Sequence, residues 1–151
     1  MPPAGAMSLG GAAPLAVIDT NVWLDLYVFG DARAAPLAQA LAEGRLRALR
    51  SVRTDDELAR VLERPVFAQR AGAAAHAAHL AAWQSSACLL EAEPGPAPWI
   101  CRDPQDQKFL DLACAAQALW LLTKDRALLD LAPVARRAGL RIATPEGFYA
   151  E

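Results

Sequence analysis

Leu15-Ala16-Val17-Ile18-Asp19-Thr20-Asn21 is a short apolar run that stops at an acid. A run of this kind, rich in Val and Ile and closed by a polar turn, predicts a strand buried on both faces. Asp19 then stands at the strand's carboxyl end, the edge at which open α/β sheets bind their ligands. One acid there decides little. Glu57, Asp106 and Asp125 fall at equivalent places further along the chain, and that recurrence is what the reading rests on.

Working outward, a second apolar run, Leu119 to Thr123, ends at Lys124-Asp125. Leu46 to Val52, Ala87 to Leu90 and Leu140 to Ala143 are further strand candidates. Between them lie helical patterns over 22–27, 32–43, 72–84, 126–131 and 133–138, and two more beginning at Thr54 and Pro104. Strands alternating with helices predict an α/β domain with a mostly parallel central sheet. Thr20 or Asn21 is expected to cap the first short helix. Thr54 and Glu57 have the spacing of a capping box, and Asp103-Pro104 that of an N-cap followed by the first helical residue.

The chain has 151 residues, 54% hydrophobic and 21% charged, which predicts one globular domain with a substantial core. Met1 to Pro14 is small, Pro- and Gly-rich and lacks a basic start, so it reads as a flexible leader or a misplaced start ahead of a single domain over 15–151, and not as a signal peptide. No apolar run approaches bilayer length, and a cytoplasmic protein is expected. Cys88, Cys101 and Cys114 lack metal-knuckle spacing and read as free thiols of a reducing compartment. His76 and His79 read as residues of a partly exposed helix face.

Net charge is −2, so no global basic signature marks a nucleic-acid binder. The arginines between Arg45 and Arg64 form a local patch that suits phosphates, or equally a solvated surface interleaved with Glu43, Asp55, Asp56 and Glu63. The only two lysines, Lys108 and Lys124, each lie beside an acid. Trp23, Trp83 and Trp120 read as core or interface, and Trp99, in a loop with Pro94, Pro96 and Pro98, as the candidate base-stacking ring.

Two strand ends and two helix starts carry Asp19, Asp125, Glu57 and Asp106 toward one edge of the sheet. Four converging carboxylates repel one another unless a cation lies between them. Oxygen ligands without His or Cys select Mg²⁺ or Mn²⁺, and one or two such ions suit phosphodiester hydrolysis. No Ser-His-Asp set, P-loop or Gly-rich dinucleotide turn competes with that route. Three of these acids also have a structural reading: a strand-end turn for Asp19, the capping box for Glu57 and a helix cap for Asp125; nearby Asp103 reads as an N-cap.

Asp19-Thr20-Asn21-Val22-Trp23, Glu57-Leu58-Ala59-Arg60-Val61-Leu62, Arg102-Asp103-Pro104-Gln105-Asp106-Gln107-Lys108-Phe109-Leu110 and Leu122-Thr123-Lys124-Asp125 together resemble the four motifs of the PIN domain family. More narrowly, they resemble its branch of toxins from bacterial toxin–antitoxin systems. The resemblance implies an α/β/α sandwich and a Mg²⁺- or Mn²⁺-dependent ribonuclease, with a homodimer and an antitoxin as partners. It implies Asp19 as the central ligand, Glu57 as ligand or water-orienting base, and Asp106 and Asp125 as the third and fourth acids. Thr123 and Asn21 would support the site, and Asp103 stands in reserve for Asp106. Relatives carry two adjacent acids where this chain has Gln105-Asp106. The rival reading is therefore a PIN-fold module that binds RNA or protein through a partly dismantled site. An aspartyl phosphatase would want an acid at Asn21, and a receiver domain an acid pair where Val17-Ile18 stand.

Overall fold

The computed structural model describes residues 13–67 and 73–148. The expected leader over 1–14 therefore falls almost wholly outside the described residues. Five strands, β1 (Leu15–Ile18), β2 (Arg47–Arg50), β3 (Cys88–Leu89), β4 (Trp120–Leu122) and β5 (Arg141–Ala143), form one sheet in the order β3-β2-β1-β4-β5. Every neighbouring pair is parallel.

The helices are α1 (Thr20–Leu24), α2 (Ala35–Ala42), α3 (Val52–Leu62), α4 (Ala73–Ser86), α5 (Gln107–Ala115), α6 (Arg126–Leu129) and α7 (Ala132–Arg137). The pleat sorts the central strands onto two faces. Ala16, Ile18, Trp120 and Leu122 face a core built with Trp23, Leu37, Leu58 and Trp83 of α1 to α4. Leu15, Val17 and Leu121 face a second core with Phe109, Leu110, Leu128 and Ala135 of α5 to α7. The result is the expected three-layer α/β/α sandwich. Trp23, Trp83 and Trp120 are all buried within it. Among the described residues, no helix is long and apolar enough to cross a membrane.

β1 is flanked by β2 on one side and β4 on the other, so the chain reverses its direction of travel across the sheet at β1/β4. Loops leaving two such strands diverge and open a crevice at their carboxyl ends. Ile18 is in register with Leu122, and the Asp19 N–H extends the ladder to the Leu122 carbonyl at 3.0 Å. Asp19 and Thr123 therefore emerge side by side at the mouth of the crevice.

Several local expectations are corrected. The capping box of α3 is Ser51/Thr54, not Thr54/Glu57: Ser51 Oγ accepts from the Thr54 N–H at 3.3 Å, and Thr54 Oγ1 accepts from the Ser51 N–H at 2.9 Å. The helix starts three residues early, β2 is cut short at Arg50, and Glu57 is released from capping. Asp103 does not cap α5. Its Oδ1 accepts from the Gln105 N–H at 3.0 Å, and i→i+3 backbone bonds tighten the chain until α5 begins at Gln107. Neither Thr20 nor Asn21 caps α1. Asp19 occupies the N-cap position without a side-chain cap, because its carboxylate turns to Thr123. The 32–43 pattern splits into a 3₁₀ turn, Ala32–Ala34, capped by Asp31, and then α2. His76 is buried rather than half exposed, with Nε2 on the Phe67 carbonyl.

Candidate active site

Asp19 follows β1 directly and is only 4% exposed. Thr123, fully buried after β4, donates its hydroxyl to Asp19 Oδ2 at 2.6 Å. The same hydroxyl oxygen accepts from the Asp125 N–H at 3.0 Å, so one threonine sets both acids. Burial holds the Asp19 carboxyl at about 6, well above its usual range. The Thr123 bond opposes that shift, the charges of Glu57 and Asp125 add to it, and the Asn21 backbone N–H favours the ionised form. Asn21 acts here through its backbone; its side chain is exposed.

Asp125 caps α6 through Oδ1, which accepts from the Ala127 N–H at 2.9 Å. Its cap role is real, and the same carboxylate also faces Asp106. Asp106 sits at the start of α5, buried, with Oδ2 lacking any partner. Ligand oxygens of Asp103, Asp106 and Asp125 lie within 4.8 Å of one another. Burial, and then the facing Asp125 carboxylate, push Asp106 up to about 8. Asp125 moves the other way, because Asp106 donates to it. In the absence of a cation the two acids share a proton.

Those three acids come together because the turn over 103–106 is tight. The reserve acid thus lies in the group beside Asp106, and both are present.

Glu57 lies apart from this trio. Thr20 Oγ1 donates to its Oε2 at 2.5 Å, and Lys108 Nζ pairs with its Oε1 at 2.7 Å. The pair is shielded, with side chains 10% and 19% exposed for Lys108 and Glu57. Sequence reasoning missed Thr20 and Lys108 as partners of Glu57. The signal was the placement of a rare lysine two residues after Asp106, in the first turn of α5. Lys124 is likewise not a free surface charge: its Nζ meets buried Asp25 Oδ2 at 2.7 Å. Asp25 was the one acid in the apolar run Val22–Phe29. Asp111 accepts from the Ala97 N–H at 2.7 Å and from Gln107 Nε2 at 3.0 Å, pinning the Pro-rich loop.

Much of the arginine patch is structural. Arg50 pairs with Asp55 at 2.5 Å and bonds the Gln84 carbonyl, and Arg47 reaches the Ala13 carbonyl and Cys88.

The donors in the acidic group are hard oxygens, and a buried carboxylate oxygen without a partner faces them. That set fits a divalent cation such as Mg²⁺ or Mn²⁺. Asp106 and Asp125, with Asp103 and neighbouring Asp19, are the residues that would hold it.

A search among curated proteins returns no match to the chain. A sequence model described as PIN domain matches residues 16–127. The matched span begins inside β1 and ends inside α6, so it contains Asp19, Glu57, Asp103, Asp106 and Asp125. PIN domains are generally nucleases and typically bind divalent metals. With the parallel sheet, the β1/β4 crevice and the carboxylates gathered in it, the chain belongs to the PIN domain family.

Proposed function

We propose that the protein is a Mg²⁺- or Mn²⁺-dependent endoribonuclease. The observation that carries this reading is the Asp106 carboxylate, buried with one oxygen unpartnered and set against Asp103 and Asp125. Three carboxylates so close are an expense in stability that a bound cation would offset. When bound, such an ion supplies Lewis acidity, making water a better nucleophile and offsetting phosphate charge.

The chain's own residues supply the rest. Thr123 fixes Asp19 through Oδ2. The α6 cap fixes Asp125 in the same way. Glu57, held by Thr20 and Lys108, stands at the side of the site as the group to orient water or substrate. Lys108 pairs with Glu57 and partly offsets the charge that Glu57 presents to Asp19.

The resemblance of the four motifs to the toxin branch supports a role as the toxin of a toxin–antitoxin pair, acting in the cytoplasm as a homodimer with an antitoxin partner. Light scattering of the purified chain, with and without the product of a neighbouring gene, tests the assembly.

Two observations favour a second reading, a PIN-fold binding module: Lys108 occupies Glu57, and Gln105 stands where relatives have an acid. Incubating structured RNA with the protein under Mn²⁺, Mg²⁺ and EDTA, beside Asp19→Asn, separates the two. Metal-dependent cutting that the substitution abolishes supports the hydrolase. Equal behaviour of both proteins leaves the binding module.

A further inference from the structure

Ile100 is 86% exposed, the most exposed large hydrophobic side chain among the described residues. It is also held rigidly. Gln107 grips the backbone on both sides of it: Oε1 accepts from the Cys101 N–H at 2.6 Å, and Nε2 donates to the Trp99 carbonyl at 3.0 Å. Asp111 in turn accepts from Gln107 Nε2 and from the Ala97 N–H, so the loop before Ile100 is fastened to α5 at several points. The loop is clamped with the isoleucine outward, while the adjacent Trp99 is half buried against the α5 core.

Ile100 stands at the rim of a groove of about 420 Å³ lined also by Arg53, Pro104, Gln105 and Lys108. Only the turn over 103–106 separates this groove from the acids: Asp103 and Asp106 belong to the acidic group, while Pro104 and Gln105 line the groove. Lys108 joins the two spaces, lining the groove and reaching Glu57 with its Nζ. Among the described residues, Arg53 pairs with Glu93 at 3.4 Å, both side chains exposed. The lining thus offers an aliphatic face, a planar cation and a side-chain amide. A nucleobase presents the complementary features: a flat apolar face that packs on aliphatic or guanidinium groups, and an edge of donors and acceptors.

We propose that this groove receives one unpaired RNA base next to the phosphate that is cut, with Ile100 packed on its face and Gln105 at its edge. The proposal rests on the ribonuclease reading and assigns Ile100 and Gln105 as residues that contact the base. A paired base has its edge engaged and its face stacked, and it cannot enter.

Because Ile100 is exposed, its variants fold. Ile100→Ala and Ile100→Trp are each made in the parent and in the Asp19→Asn background. Affinity of the Asp19→Asn proteins is read by fluorescence anisotropy with a labelled unstructured RNA octamer and with the corresponding duplex, in Mn²⁺ and in EDTA. Truncation is expected to weaken octamer binding roughly fivefold, and tryptophan to strengthen it by a similar factor, because bases stack on aromatic rings. Duplex binding should move by less than twofold in either variant. In the parent background, Ile100→Ala should raise KM for the octamer and leave kcat unchanged. Octamer affinity and KM indifferent to both substitutions would overturn the groove, and metal-dependent cutting by the parent would then leave the nuclease reading intact. Absence of cutting by the parent overturns the nuclease reading, while the anisotropy still decides the groove. Variants that change self-association but not RNA affinity would make this a protein contact and also overturn the proposal.

Discussion

Thr123 donates its hydroxyl to Asp19 Oδ2 at 2.6 Å, a bond between the ends of β1 and β4 spanning 104 positions of sequence. The hydroxyl is the neighbour that opposes the burial shift of Asp19 most strongly. Thr123→Val keeps the volume and removes both this donor and the acceptor for the Asp125 N–H. At pH 7 the expected loss of stability is about 1–3 kcal/mol by chemical denaturation. In an Asp19→Asn background the loss should shrink, because a neutral acceptor is cheaper to leave unmatched. Equal losses in both backgrounds would show that the hydroxyl does not support the Asp19 charge.

Asp19→Asn should stabilise the metal-free protein at neutral pH. The folded carboxyl sits at about 6, above its ordinary 3.8, so the folded state holds the proton more tightly than the unfolded state. Stability therefore falls as pH rises from about 4 through 6, and the full cost, roughly 3 kcal/mol, is present at pH 7. Asparagine carries no such cost. Melting curves at pH 4 and pH 7 without metal should converge at the lower pH and separate at the higher, with the variant above the parent. The parent should regain more stability with Mn²⁺ than the variant does. A variant less stable than the parent at pH 7 would contradict the assignment of burial as the dominant effect.

Metal binding should release a proton from the Asp106/Asp125 pair. Asp106 is pushed up to about 8, so it carries the shared proton at neutral pH. Ligation needs the ionised carboxylate. Calorimetric titration with Mn²⁺ in buffers of different ionisation enthalpy should report about one proton released near pH 7, and affinity should rise with pH between 6 and 8. Zero release, with affinity flat over that range, would place the cation elsewhere.

Lys108→Met should strand Glu57 in a shielded place and cost about 1–3 kcal/mol. Glu57→Gln alone should be mild, since an amide oxygen still accepts from Thr20. The double variant should be clearly more stable than the sum of the two losses. Additive losses would mean that the 2.7 Å ion pair contributes nothing to folding.

Much of this was readable one element at a time. The buried run Leu15–Ile18 and the apolar Trp120–Leu122 were visible as strands because each is flanked by turn chemistry and too short for a helix. Asp19 and Asp125 were visible for the same reason, as acids where those runs end. The caps were not. Ser51 and Thr54 both belong to residue types that cap helices, and the choice between them depends on where β2 stops pairing with β1, which is a contact with another strand. The start of α5 was similarly hidden, because Asp103 could bond forward to a helix or close a turn onto Gln105, and its own side chain decided for the turn.

By itself the sequence determined the layer architecture, through periodicity, and the identity of the acids, through their recurrence at strand and helix ends. Only the tertiary structure decided which acids meet. Asp103, Asp106 and Asp125 converge because a tight turn faces the end of β4, whereas Glu57 is drawn to Thr20 and Lys108. It also decided that Ile100, and not Trp99, stands in solvent. The physical reason is common to both: periodicity is a property of neighbouring residues, while a charge or a side chain takes its place from partners brought near by the fold.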